Sequence, residues 1–123
     1  MQKEAKFGIK LRHWLKANPK FSMCIEIKQT DKNTFNLKNI TDDQINFGIA
    51  VRDSKSGVLV RVSSGTVGAS DYIYLRNFPS FFAIQFPKGF SIIPADLINI
   101  EKNKKPSLTW ERACDIGTIV IHN

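Results

Sequence analysis

Apolar residues recur near the start of the chain at Phe7, Leu11, Trp14 and Leu15. This i, i+4, i+7, i+8 spacing marks one helical stripe and predicts a helix over Glu4 to Asn18, with Asn18-Pro19 as its stop. Phe21 to Thr30 changes period: Met23, Ile25 and Ile27 alternate with Cys24, Glu26 and Lys28, which predicts a strand followed by a turn at Asp31-Lys32-Asn33. Thr41 and Gln44 have the spacing of a capping box, and Asp42 and Asp43 complement a helix N-terminus. A helix is therefore expected to about Arg52, burying Ile45, Ile49 and Phe47. Val58 to Ser63, Tyr72 to Arg76, Phe81 to Phe86 and Phe90 to Ile93 are short β-prone runs separated by Gly, Ser and Pro, as in an antiparallel meander. Asp96 to Lys102 predicts a short helix. Ser107 to Ile116 predicts a better one, with Ser107 or Thr109 as cap and Gly117 as terminator, and Thr118 to His122 a last strand. The order of elements implies one α/β (α+β) domain over residues 1–123, without repeat or linker.

Composition narrows the class. Of 123 residues, 42% are hydrophobic and 24% charged, which suits a folded domain and excludes a disordered or collagen-like chain. No apolar run approaches the length of a membrane span, and the N-terminal residues alternate charge with apolar side chains, unlike a secretory leader. The expected setting is cytoplasmic, with Cys24 and Cys114 as buried free thiols. The net charge of +7 is concentrated: Lys3, Lys6, Lys10, Arg12, Lys16 and Lys20 face a single acid, Glu4, within the first twenty residues. Lys102, Lys104 and Lys105 form a second cluster. Such one-sided charge suits a polyanionic partner, nucleic acid above all, and equally a solvated helix face.

Few residues are placed for chemistry. His13 and His122 are far apart in sequence, and neither belongs to a triad or zinc pattern. The loop from Gly65 to Gly68 lacks the Lys-Ser/Thr ending of a phosphate-binding loop. An acid two residues before a lysine occurs at Glu4-Lys6, Glu26-Lys28 and Asp53-Lys55. Only the second lies within a strand, where both side chains share a face and Ile25 and Ile27 take the other. The pair serves there either as an exposed ion pair or as a site that holds a hard divalent cation and polarises water.

The segment Glu26-Ile-Lys28-Gln29-Thr30 follows a basic helix with an early Glu4 and precedes a helix carrying Gln44. After it come a strand ending in Ser63, a loop with Gly68, Asp71 opening a strand, and Ser107-Leu108-Thr109. This ordered set resembles the PD-(D/E)XK nuclease superfamily, and more narrowly is similar to small phage-type proteins related to Holliday junction resolvases. The resemblance spans most of the chain, although each motif is short.

It implies a restriction-endonuclease-like core, a central mixed sheet flanked by helices, and metal-dependent hydrolysis of branched or duplex DNA. The superfamily's metal-binding aspartate usually precedes E-x-K, yet no acid lies between Glu4 and Glu26. Asp71 is the substitute the pattern offers, and a plain strand-start aspartate is the other reading. On the nuclease reading, Asp71, Glu26 and the Ile27 carbonyl hold Mg²⁺ or Mn²⁺, and Lys28 orients water or stabilises charge. Gln44 braces the site or caps its helix, and Glu4 looks inward or complements the first turn. Lys3, Lys6, Lys10, Arg12 and Lys16 contact DNA. Homodimerisation is expected by the same resemblance, with Phe78, Phe81 and Phe82 available either for an interface or for the core. The alternative function is nucleic-acid binding without catalysis on the same scaffold.

Overall fold

The alternation after Met23 becomes an edge strand, and the molecule is arranged on its two faces. A computed structural model describes the backbone of residues 3–18, 23–63 and 70–123, with their side chains except at 3–5, 61–63, 70 and 71. The side chains of Lys3, Glu4 and Asp71, and the loop holding Gly65 and Gly68, thus lie outside the described residues. In chain order the elements are α1 (Lys3–Ala17), β1 (Cys24–Gln29), β2 (Thr34–Asn36), a 3₁₀ turn (Leu37–Asn39), α2 (Asp42–Asp53), β3 (Val58–Ser63) and β4 (Ser70–Leu75). They continue with β5 (Ser80–Phe86), β6 (Gly89–Pro94), α3 (Ala95–Lys104), β7 (Ser107–Thr109), α4 (Trp110–Ile116) and β8 (Ile119–His122).

The central sheet has the order β1-β5-β6-β8 and is mixed: β1 runs parallel to β5, whereas β5–β6 and β6–β8 are antiparallel. Helix α1 covers one face, where Phe7 and Leu11 pack with Ala83, Phe90 and Ile92, and Ile25 and Ile27 of β1 lie against the same cluster. The other face carries Phe82, Ile84, Phe86 and Ile93 under Ile45 of α2, Ile98 of α3, and Trp110 and Ala113 of α4. The expected mixed sheet between helices is therefore present in a single small domain. Among the described residues no helix is long and apolar enough to cross a membrane.

Several expectations are refined by tertiary pairing. The four β-runs do not make one meander. β3 and β4 pair only with each other, from Val58↔Leu75 to Ser63↔Ser70, while β5 turns away to pair with β1. Asn77 permits the exit from the hairpin by taking a positive φ of 50°, a conformation Asn tolerates better than most residues. The hairpin leaves Leu59, Tyr72, Ile73 and Tyr74 exposed, and Tyr74 folds over Gly57 to donate its hydroxyl proton to the Ser56 carbonyl. Ser107–Thr109, expected to start a helix, instead forms a three-residue ladder with Thr34–Asn36. Of the two candidate caps, Thr109 is the one that forms, accepting from the Arg112 N–H at 3.1 Å.

Side-chain burial departs from expectation at Phe47, which is exposed, and at Cys24 and Cys114, which are free but only half-buried. Phe82 belongs to the core at 1% exposure, so it offers no interface; Phe78 and Phe81 are half-buried. One buried charge is not evident from the sequence. Glu101 is 3% exposed, and its Oε1 accepts from Arg112 Nε at 3.0 Å and Nη2 at 2.8 Å, fastening α3 to α4.

Phe7 is fully buried, and its ring lies 5.4 Å from that of Phe90, whereas Trp14 is half-buried at the periphery of the same cluster. Phe7→Ala is expected to cost roughly 3–5 kcal/mol in denaturant unfolding, and Trp14→Ala less. Equal or reversed losses would mean that α1 presents a different face to the sheet.

Candidate functional site

Period two on β1 separates Glu26 and Lys28 from Ile25 and Ile27, which α1 covers, and turns the charged pair toward the layer containing α2. Lys28 Nζ lies 4.0 Å from Glu26 Oε1. The Lys28 side chain is 14% exposed and that of Glu26 is 48% exposed, so the ammonium is the more enclosed of the two.

Gln44 joins this pair from α2. Thr41 Oγ1 accepts from the Gln44 N–H and Gln44 Oε1 accepts from the Thr41 N–H, both at 3.1 Å, so the capping box forms in full. The same box fixes the orientation of the amide. With its oxygen committed to the cap, Nε2 points at Glu26 Oε1 and donates at 3.4 Å. The two roles open for Gln44 in the sequence are thus compatible in one rotamer.

Above Glu26 the surface sinks into a cleft of about 300 Å³ between β1, β5 and the first turns of α2, lined by Cys24, Glu26, Asp43, Gln44, Phe47 and Phe81 among others. Its floor depends on a close approach at Gly48, where a methyl group would come within 2.8 Å of Ser80 Oγ and 3.1 Å of Ala95 Cβ. Asp43, which the sequence assigns only to helix-dipole complementarity, is thereby a cleft residue. It shares a helix face with Gln44, Phe47 and Gly48, and this i, i+1, i+4, i+5 spacing is the signal in the sequence that could have found it. Burial, and secondarily the Glu26 carboxylate, raise the pKa of the Cys24 thiol above its ordinary value, which makes it a poor nucleophile.

The donors suit a hard cation in kind, since Glu26 and Asp43 offer carboxylate oxygens to one cleft. Among the described residues, however, no three His, Cys, Asp or Glu side chains gather as a metal-binding group. A third acid would have to come from Glu4 or Asp71, whose side chains are not described. The backbone of Glu4 belongs to α1, on the opposite face of the sheet but beside its β1 edge, where Gly8 faces Ile27. Asp71 stands opposite Val62 in the β3–β4 hairpin, outside the four-stranded sheet. His13 and His122 are exposed and apart from the cleft.

Mixed α/β architecture with a charged pair on an edge strand is the class that fold and site define. Beyond that class, no protein-family model matches the chain, and neither does any curated protein or solved structure.

Because Glu26 adds to the elevation of the Cys24 pKa, Glu26→Gln is expected to increase the thiolate fraction at pH 8. Alkylation of Cys24 by iodoacetamide, followed by peptide mass spectrometry, should then accelerate while that of Cys114 stays constant. An unchanged or slower rate at Cys24 would show that the Glu26 carboxylate does not face the cleft.

Proposed function

We propose that the chain is a metal-dependent endonuclease that hydrolyses phosphodiester bonds in DNA, with Glu26 and Lys28 at the centre of its site. The supporting observation is that Gln44, from a separate motif of the PD-(D/E)XK pattern, reaches the Glu26 carboxylate of the E-x-K segment at the cleft, with Lys28 4.0 Å from the same carboxylate oxygen. The mixed sheet between helical layers agrees with that reading at the level of architecture.

Glu26 and the Ile27 carbonyl, with Asp71 as the third donor, are the groups proposed to hold Mg²⁺ or Mn²⁺. Such an ion supplies charge neutralisation at the scissile phosphate and an acidified water. The chain's own groups do the rest. The Lys28 ammonium, restrained by its enclosure, stabilises negative charge developing on the phosphoryl oxygens and orients the attacking water. Gln44 keeps the Glu26 carboxylate directed into the cleft, because its own rotamer is fixed by the capping box. Glu4 is proposed to act at the same site from α1. The exposed Lys6, Lys10, Arg12 and Lys16, with Lys3, supply contacts to the phosphate backbone. Homodimerisation belongs to this reading, since symmetric cutting of a branched substrate uses two sites.

The second reading is DNA binding without cleavage on the same scaffold. It is favoured by the place of Asp71 in the β3–β4 hairpin, outside the four-stranded sheet that carries Glu26.

Glu26→Gln, Asp71→Asn and Lys28→Ala should each reduce metal-dependent cleavage by at least about 100-fold while leaving far-ultraviolet circular dichroism and DNA binding intact. Normal cleavage by Asp71→Asn alone would transfer the third-donor role to another acid, Asp43 or Glu4. Normal cleavage by both Glu26→Gln and Lys28→Ala would remove the site from β1 altogether.

A further inference from the structure

The basic α1 and the Glu26 cleft occupy opposite layers of the sheet, and α1 comes nearest the β1 terminus at Lys6, which shares a depression with Gln29 and Thr30. The α2–α3 layer has a cationic surface of its own. Lys38, on the 3₁₀ turn, and Lys104 and Lys105, at the end of α3, line one concavity of about 410 Å³ together with Lys102 and Asn103. Lys102 is structurally committed: its Nζ donates to the Ile40 carbonyl at 2.7 Å and to Asp42 Oδ1 at 2.9 Å, tying the C-terminus of α3 to the N-terminus of α2. That tie adjoins the Thr41–Gln44 box, whose Gln44 amide reaches Glu26.

The other three lysines are different. Lys38, Lys104 and Lys105 are exposed, and their ammonium groups have no carboxylate partner among the described residues. Complementing the α3 dipole accounts for Lys104, in the last helical turn. It does not account for Lys38, which comes from a separate element, or for Lys105, which lies past the helix end. The wall of the concavity is largely apolar, from Leu37, Pro106 and the lysine stems, and no carboxylate lines it; the ammonium groups of its lysines give it a cationic character that suits a polyanion.

A polar strip connects it to β1. Lys38 lies between Asn36 and Asn39, which line a neighbouring depression with Ser107, with Asp31 and Lys32, and with Gln29 and Thr30 at the β1 terminus just after Lys28.

We infer that Lys38, Lys104 and Lys105 form a second phosphate-contacting surface, which holds DNA on the layer that carries Glu26, Lys28 and Gln44. The inference rests on the nucleic-acid reading above and assigns the strand a route across that site. It separates this cluster from α1, so the two basic surfaces contribute independently to binding.

The test is fluorescence anisotropy of a labelled linear DNA duplex over a range of salt concentrations, with plasmid cleavage followed in parallel. Lys38→Gln/Lys104→Gln/Lys105→Gln should flatten the dependence of log K on log salt by about two to three units, at roughly 0.9 for each phosphate that is no longer neutralised. Lys55→Gln/Lys88→Gln, which removes positive charge elsewhere on the surface, should change it by much less. Lys38→Gln/Lys105→Gln retains the helix-terminal Lys104 and should still lower the slope by about one to two units, which covers the case in which the triple variant folds poorly. A slope unchanged in both lysine variants, with wild-type cleavage preserved, overturns the second surface and leaves the nuclease reading standing. A reduced slope in a protein that binds DNA but never cleaves it supports the surface and overturns the nuclease reading. No DNA binding by the wild type overturns both.

Discussion

The parallel pairing of β1 with β5 is the constraint on which the arrangement depends. It keeps β1 at the edge of the sheet with both faces in use, so each residue is committed to one layer by its parity. Ile25 and Ile27 anchor α1, and Glu26 and Lys28, which alternate with them, are held on the opposite side at a spacing that side-chain motion cannot undo. A slip of one residue would bury Glu26 and Lys28 under α1 and expose the isoleucines. The hydrophobic contact that positions the first helix therefore also positions the charged pair.

The second constraint is local. The capping box of α2 satisfies two backbone N–H groups that the helix would otherwise leave unpaired, and in doing so fixes which end of the Gln44 amide faces β1. Helix initiation and orientation of the cleft carboxylate thus share one side chain. Lys102 adds to this from α3 by binding Ile40 and Asp42 on either side of Thr41, so the start of α2 is tied to both β1 and α3. An orienting group built on such a helix end needs little reorganisation when a ligand arrives.

What was legible in the sequence was what short-range physics dictates. The α1 stripe, the alternation of β1, the Thr41–Gln44 box and the Thr109 cap all depend on residues within a few positions of one another. The ladder between β2 and β7 was not legible, because three residues carry no period and Leu108 is buried only after Phe35 arrives from a distant part of the chain. The Glu101–Arg112 pair was hidden for a similar reason, since a helical Glu among lysines reads as solvated until α4 folds over it. In the candidate site, the shared face of Glu26 and Lys28 followed from parity. The cleft beside them, with Asp43 and Phe47 on its wall, requires the tertiary approach of α2 at Gly48. The grouping of Lys38 with Lys104 and Lys105 likewise emerges only once the 3₁₀ turn lies beside the end of α3.

The central claim is that this edge-strand pair belongs to a site that breaks phosphodiester bonds with the help of a divalent cation. The direct measurement incubates the purified chain with a four-way DNA junction and a linear duplex of matched sequence, in Mg²⁺, in Mn²⁺ and in EDTA, and resolves the strands on a denaturing gel. The account predicts discrete cleavage products with at least one of the two metals and none with EDTA. DNA retained by the protein but left intact with both metals would contradict it.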